Sequence, residues 1–191
     1  MIDVRTLFDK IGARQFTAED AKALIRSSYY FGAAHPDVHI SLGVNRPPDF
    51  HFQHLPQYEE RRAHSMFRSM DQAASGIAAT LNSNAGAAAS RFLSFSDVQR
   101  AVLYSRSGAR ACGNTTVRAA IASMGTRTGT MYSDVSTVIV VAVLSIFNGE
   151  IVLTTAYPAN QSPANRPFPP DGLDLVECRN QTFTYPATDG A

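Results

Sequence analysis

The strongest constraint on the fold is a pair of β-branched apolar segments, residues 136–147 and 150–157, joined by Asn148-Gly149. Asn-Gly is the strongest short-range hairpin signal, because both central residues of a type I′ turn need a positive φ. The sequence therefore predicts a long antiparallel hairpin. Further strands are predicted at 130–133, 173–178 and 181–185.

Helical periodicity dominates the chain before this hairpin. Thr17 and Asp20 match a variant capping box, and they predict a helix that ends near Gly32. A longer helix is predicted to begin at Pro56, because apolar residues then recur every three or four positions up to Leu81.

A loop and two short helices are predicted between the long helix and the hairpin. Residues 82–90 are mostly small and predict the loop. The first short helix is expected to follow an N-cap at Ser94 or Ser96, and the second an N-cap at Thr115 or Thr116. Their apolar positions are Val98, Ala101 and Val102 in the first, and Val117, Ala120 and Ile121 in the second.

Helices first and antiparallel strands later predict an α+β fold, in which N-terminal helices pack against an antiparallel sheet with a long C-terminal hairpin. We expect an N-terminal helical segment at 1–45 and a domain at 46–191 that carries the candidate catalytic residues. One continuous domain over 1–191 is the alternative.

Composition excludes several classes of protein. The chain has 191 residues and is 45% hydrophobic, so a disordered chain is excluded. Its longest apolar run, 138–144, is far shorter than the roughly 20 residues of a membrane helix, so no membrane span is expected. Two cysteines cannot build a disulfide scaffold, and the first residues do not predict a signal peptide.

The net charge of +1 conceals a strong segregation of charge. Residues 61–131 carry nine arginines against two acids, whereas 1–60 and 132–191 have net charges of −2 and −4. Fifteen of the seventeen cations are arginines, whose planar fork matches phosphate oxygens. The distribution of charge therefore keeps a nucleic-acid substrate among the candidates.

The histidines are clustered within thirty residues of the chain. They are His35, His39, His51, His54 and His64. His51 and His54 directly precede the predicted long helix and its arginines, and histidine transfers protons near neutral pH. No carboxylate or cysteine lies at a familiar zinc spacing from them, so no metal and no cofactor is predicted.

Thr155 and Tyr157 lie two residues apart at the end of the second hairpin strand, and simple alternation places them on one face with Ile151 and Leu153. A hydroxyl and a phenol there could bind phosphate, although both residue types are also simply common in strands.

These features together resemble the RNase A-like toxin domain at the C-termini of bacterial contact-dependent growth inhibition proteins. The resemblance rests on a histidine loop followed by a helix, the segment Ser94-Phe95-Ser96-Asp97, and a valine-rich strand whose partner ends Thr-Thr-Ala-Tyr-Pro at 154–158. It covers residues 50–160.

The resemblance implies a metal-independent endoribonuclease with an RNA substrate and a cognate immunity protein, acting in the cytoplasm of a target bacterial cell. It implies His54 or His51 as acid and base, with Arg62, Thr155 and Tyr157 stabilising the phosphate. Arg61 and Arg68 are the alternative arginines. The Gly-His pair of the family is absent here, since Asp49-Phe50 precede His51.

Two other functions fit the same sequence. A non-enzymatic binding protein of the immunity or adaptor type would suit the acidic C-terminal part. A nuclease toxin of the barnase, EndoU or colicin type would use similar side chains on a different order of strands.

Overall fold

The computed structural model describes residues 3–42, 64–67, 69–112, 116–122, 130–159 and 168–188. The helices in these ranges are α1 (Val4–Gly12), α2 (Ala18–Ala34), α3 (Met70–Asn82), α4 (Asn84–Leu93) and α5 (Arg106–Ala111). The strands are β1 (Ser41–Leu42), β2 (His64–Met66), β3 (Arg100–Ser105), β4 (Thr116–Ala122), β5 (Thr130–Ser136), β6 (Ile139–Phe147), β7 (Glu150–Ala159), β8 (Leu173–Cys178) and β9 (Gln181–Pro186). The predicted α+β fold is confirmed.

The main sheet has six strands in the order β1-β7-β6-β3-β8-β9. Its last five strands pair antiparallel, and only the short β1 runs parallel to its neighbour β7. The predicted hairpin is confirmed as β6 and β7, joined at Asn148 and Gly149 with positive φ angles of 50° and 80°. A second sheet has the order β2-β4-β5 and is antiparallel throughout.

The predicted capping box at the start of α2 is confirmed. The N–H of Asp20 donates to the Thr17 hydroxyl over 3.1 Å, and the N–H of Thr17 donates to the Asp20 carboxylate over 2.9 Å. Lys10, in α1, reaches the same carboxylate at 2.5 Å and so joins the first two helices. Burial opposes ionisation of Asp20, but these hydrogen bonds and the lysine charge outweigh it and lower the pKa of Asp20.

The prediction of one continuous helix from Pro56 to Leu81 is wrong, because a strand interrupts it. His64–Met66 forms β2, and α3 starts only at Met70, where the Ser69 hydroxyl accepts a hydrogen bond from the N–H of Gln72. The helical spacing of apolar residues includes Met66, although this residue pairs in a strand, so spacing alone did not mark the boundary. Residues 56–63 lie outside the described ranges.

The predicted loop at 82–90 is wrong, because this segment forms most of α4. Ser83 caps the new helix by accepting from the N–H of Gly86. A Cβ on Gly86 would lie only 2.0 Å from the carbonyl oxygen of Leu81. The small residues here therefore permit a tight junction between α3 and α4.

Both predicted short helices are also wrong. Ala101 and Val102 lie in β3, which Val98 shortly precedes, and Thr116–Ala122 is β4. β3 lies between β6 and β8 with both faces covered, and residues 101–105 are all buried. A strand buried on both sides has no alternation of polar and apolar residues, so its periodicity does not separate it from a helix.

The main sheet has two chemically distinct faces. On the helix face, strand side chains such as Leu103 and Leu144 pack in one cluster with helix residues such as Leu7, Leu24 and Ile77. The opposite face carries a second cluster made of strand residues: Val102, Tyr104, Ile139, Val141, Val143, Ala159 and Leu175. Side chains from residues 1–45 thus share a core with the sheet, while the boundary at residue 45 stays a prediction.

Cys112 and Cys178 are both buried free thiols. Burial raises the pKa of Cys112 to about 12, so this side chain stays protonated at neutral pH. In the part of the chain that the structure describes, no helix is long and apolar enough to cross a membrane.

Gly149→Ala should lower the free energy of unfolding by about 1 kcal/mol, because alanine is strained at a φ of 80°. Gly12→Ala is the matched control, since a Cβ at Gly12 has no neighbour within 4 Å and its φ is not positive. Chemical denaturation of both variants measures the difference. Equal stabilities would contradict the assigned turn.

Candidate functional site

A β-bulge at Thr154 decides which way the end of β7 faces. Val143 and Leu144 are adjacent on β6, but their partners on β7 are Thr155 and Leu153. Thr154 is therefore an extra residue with no partner in the ladder. Bulges of this kind redirect the side chains that follow them.

Hydrogen bonds hold the bulge from both sides. The Thr154 hydroxyl donates to the carbonyl of Val143 over 3.3 Å, beside the interruption in the ladder. On the outer side of β7, the N–H of Leu153 donates to the Ser28 hydroxyl (2.9 Å), which itself donates to the carbonyl of Leu24 in α2 (2.7 Å). The bulge is thus anchored both to a strand and to a helix.

The bulge separates β7 into two parts that present their side chains differently. Before Thr154, Ile151 and Leu153 belong to the cluster on the helix face. After it, Thr155 and Tyr157 pair with residues of the cluster on the opposite face. The predicted common face of Thr155 and Tyr157 is confirmed, whereas the prediction that Ile151 and Leu153 share it is wrong because simple alternation does not anticipate an extra residue.

The same opposite face carries a carboxylate held by a phenol. Tyr104 is only 1% exposed, and its hydroxyl donates to the Glu177 carboxylate over 2.9 Å. Val141 of β6 pairs with Tyr104 on one side and with Tyr157 on the other. Since neighbouring strands are about 4.8 Å apart, the backbones at Tyr104 and Tyr157 are about 10 Å apart. Tyr157 and Glu177 each keep part of their surface exposed, whereas Tyr104 is buried.

Three residues on this face were not among the predicted site residues. They are Tyr104, Glu177 and the exposed Arg100, which lies two positions before Val102 on the same side of β3. One signal in the sequence could have indicated Glu177, because an acid interrupts the otherwise apolar end of the strand at 173–178.

The other predicted catalytic residues, His51, His54 and Arg62, lie outside the described ranges, as do the alternatives Arg61 and Arg68. The chain on either side of that segment is described. β1 begins at Ser41, which pairs with Thr155, and ends at Leu42, while β2, which begins at His64, also lies beside β7. The described flanks of the histidine segment are therefore both next to the strand that carries Thr155 and Tyr157.

A second polar cluster, at the start of α5, has a structural role. The fully buried carboxylate of Asp174 accepts hydrogen bonds from the backbone N–H of Arg106 (2.7 Å) and from the hydroxyls of Ser105 and Ser107 (3.1 and 3.0 Å). The Arg106 guanidinium donates to two proline carbonyls and pairs with Asp171. These groups satisfy one another and anchor α5 to β8.

Among the described residues, no three His, Cys, Asp or Glu side chains form a group that could hold a metal ion. No protein-family model, curated protein or solved structure matches the chain.

Thr154→Val should lower the free energy of unfolding by about 1 kcal/mol, because it removes the hydroxyl that bonds the Val143 carbonyl. Thr155→Val is the matched control, with the same change of atoms one residue further along the strand. We expect it to keep the stability of the parent protein within about 0.5 kcal/mol. Urea denaturation of the two variants measures this contrast, and a larger loss in Thr155→Val would contradict the assigned bulge.

Proposed function

We propose that this protein is a metal-independent endoribonuclease of the toxin type, which cleaves RNA through attack by the ribose 2′-hydroxyl. The observation that carries the proposal is the placement of Thr155 and Tyr157 beyond the bulge. They share the face opposite the helices, next to the flanks of the histidine segment.

In the proposed reaction, His54 or His51 removes the proton from the 2′-hydroxyl, and the 2′-oxygen then attacks the adjacent phosphorus. The bond from phosphorus to the 5′-oxygen breaks, the histidine returns the proton to that oxygen, and a 2′,3′-cyclic phosphate remains. The step needs proton transfers and fixed positive charge, and it consumes no cofactor.

Arg62, Thr155 and Tyr157 have the role of stabilising charge in this reaction. The phosphorane passes through a dianionic state, which a guanidinium stabilises with two parallel hydrogen bonds. The hydroxyls of Thr155 and Tyr157 donate to the non-bridging oxygens. Half-burial of both side chains strengthens such bonds compared with bonds in water.

The charge pattern supports the proposal at longer range. The net charge of +7 over residues 61–131 attracts the phosphate backbone of RNA, and the acidic flanks limit non-specific binding. A free ribonuclease would damage the cell that makes it. We therefore propose a cognate immunity protein as partner and the cytoplasm of a target bacterium as the place of action.

The purified protein should cleave RNA in the presence of EDTA and leave 2′,3′-cyclic phosphate ends. Thr155→Val should lower the cleavage rate by about 100-fold, because it removes one donor to the developing charge. His51→Ala and His54→Ala identify the acid and base, since the variant that lacks this group should lose about 100-fold or more.

Thr182→Val is the control in this experiment, because it makes the same change of atoms at an exposed side chain of β9, at the far edge of the main sheet from β7. It should keep the parent cleavage rate at a temperature where the protein is folded. Intact RNA at high protein concentration, or equal rates for Thr155→Val and the parent, would contradict the proposed function.

A further inference from the structure

β9 forms an edge of the main sheet, and its pairing with β8 fixes which backbone groups point outward. The two strands are joined by Arg179 and Asn180, with φ angles of 50° and 60°, so Cys178 pairs with Gln181 across a two-residue turn. At the far end, the N–H of Ala187 donates to the carbonyl of Gly172 over 2.8 Å. Alternation then directs the backbone groups of 181, 183 and 185 towards β8 and those of 182, 184 and 186 away from the sheet.

The outward groups differ along the strand. Pro186 has no N–H, and its carbonyl accepts a hydrogen bond from the side chain of Asn84 (3.1 Å). In the described part of the chain, no hydrogen bond uses the outward N–H and carbonyl groups of Thr182 and Thr184. Both threonine side chains are exposed. Four backbone hydrogen-bonding groups are thus presented at this edge.

Residues 181–185 lack the features that usually prevent strands from pairing between molecules, and the one proline of β9, Pro186, is the last residue of the strand. Natural edge strands carry charges, prolines or bulges, or are very short. Residues 181–185 contain no charge and no proline, and their pairing with β8 has no bulge. The opposite edge, β1, has only two residues. The exposed edge at β9 therefore indicates a surface for pairing.

We propose that a second copy of this chain pairs with β9, antiparallel and about a two-fold axis at Phe183. The five residues Gln-Thr-Phe-Thr-Tyr place Thr182 opposite Thr184 of the second copy, and Gln181 opposite its Tyr185. The outward groups of the two threonines form four intermolecular hydrogen bonds in this register. Because the strand is uncharged, self-pairing brings no like charges together.

The side chains on the helix face favour the same occupant. Phe183 is half-buried and lies with its ring centroid 4.9 Å from that of Phe92, in α4. On the two-fold axis, Phe183 meets Phe183 of the second copy, and pairing buries the remaining exposed surface of both rings. The contact is isologous, so it closes at two copies and does not grow into fibres.

The contact is small, so the dimer should depend on protein concentration. Interfaces below about 1,200 Å² in total are typical of transient complexes. Sedimentation velocity should therefore show monomer at about 10 µM and increasing dimer towards about 1 mM, which corresponds to a weak dissociation constant.

Two double variants at the exposed threonines test the register. Thr182→Glu with Thr184→Glu places carboxylates opposite each other twice across the axis and should weaken the dimer about tenfold. Thr182→Glu with Thr184→Lys places a carboxylate opposite an ammonium twice, and should restore the dimer or strengthen it. Both double variants share the Thr182→Glu change, which lies opposite Glu177 of β8, so this contact within the monomer is the same in the two.

Amide hydrogen exchange provides a second measurement on the parent protein. The amides of Thr182 and Thr184 should become protected only at concentrations where the dimer forms. A parent protein that stays monomeric to about 1 mM, or equal association of the two double variants, would overturn the proposal.

Discussion

The arrangement of the proposed site depends on one irregularity, the extra residue at Thr154. A strand without it would continue the alternation of Ile151 and Leu153, and would put Thr155 and Tyr157 on the helix face. The bulge prevents this, and it is held by a threonine hydroxyl on one side and by Ser28 of α2 on the other. Packing of the N-terminal helices and orientation of the proposed catalytic hydroxyls are therefore coupled at one point of β7.

The two faces of the main sheet have different roles: one packs against the helices, and the other carries the proposed catalytic hydroxyls. Its helix face buries leucine, isoleucine and alanine side chains from both the helices and the strands. The opposite face combines a valine-rich centre with polar groups, including the Tyr104–Glu177 pair and the two hydroxyl residues of β7. Burying a polar group on an apolar face costs desolvation free energy. Polar side chains on this face therefore support a functional role for it.

The sequence was informative where local chemistry determines local structure. The Asn148-Gly149 turn and the Thr17 capping box depend on a few adjacent residues, and both were predicted. β3 and β4 were predicted as helices, because strand pairing between distant segments decided their structure and their periodicity was ambiguous. The faces of β7 were only partly predicted, since a bulge depends on tertiary contacts that no local pattern contains.

Binding of a non-cleavable RNA can show which face of β7 contacts the substrate. A 2′-O-methyl oligonucleotide lacks the attacking hydroxyl, so the side chains that contact it can be followed by NMR. We expect chemical-shift changes at Thr155 and Tyr157, with Ile151 and Leu153 unaffected on the other face of the same strand. Changes confined to Ile151 and Leu153, or no changes at saturating RNA, would contradict it.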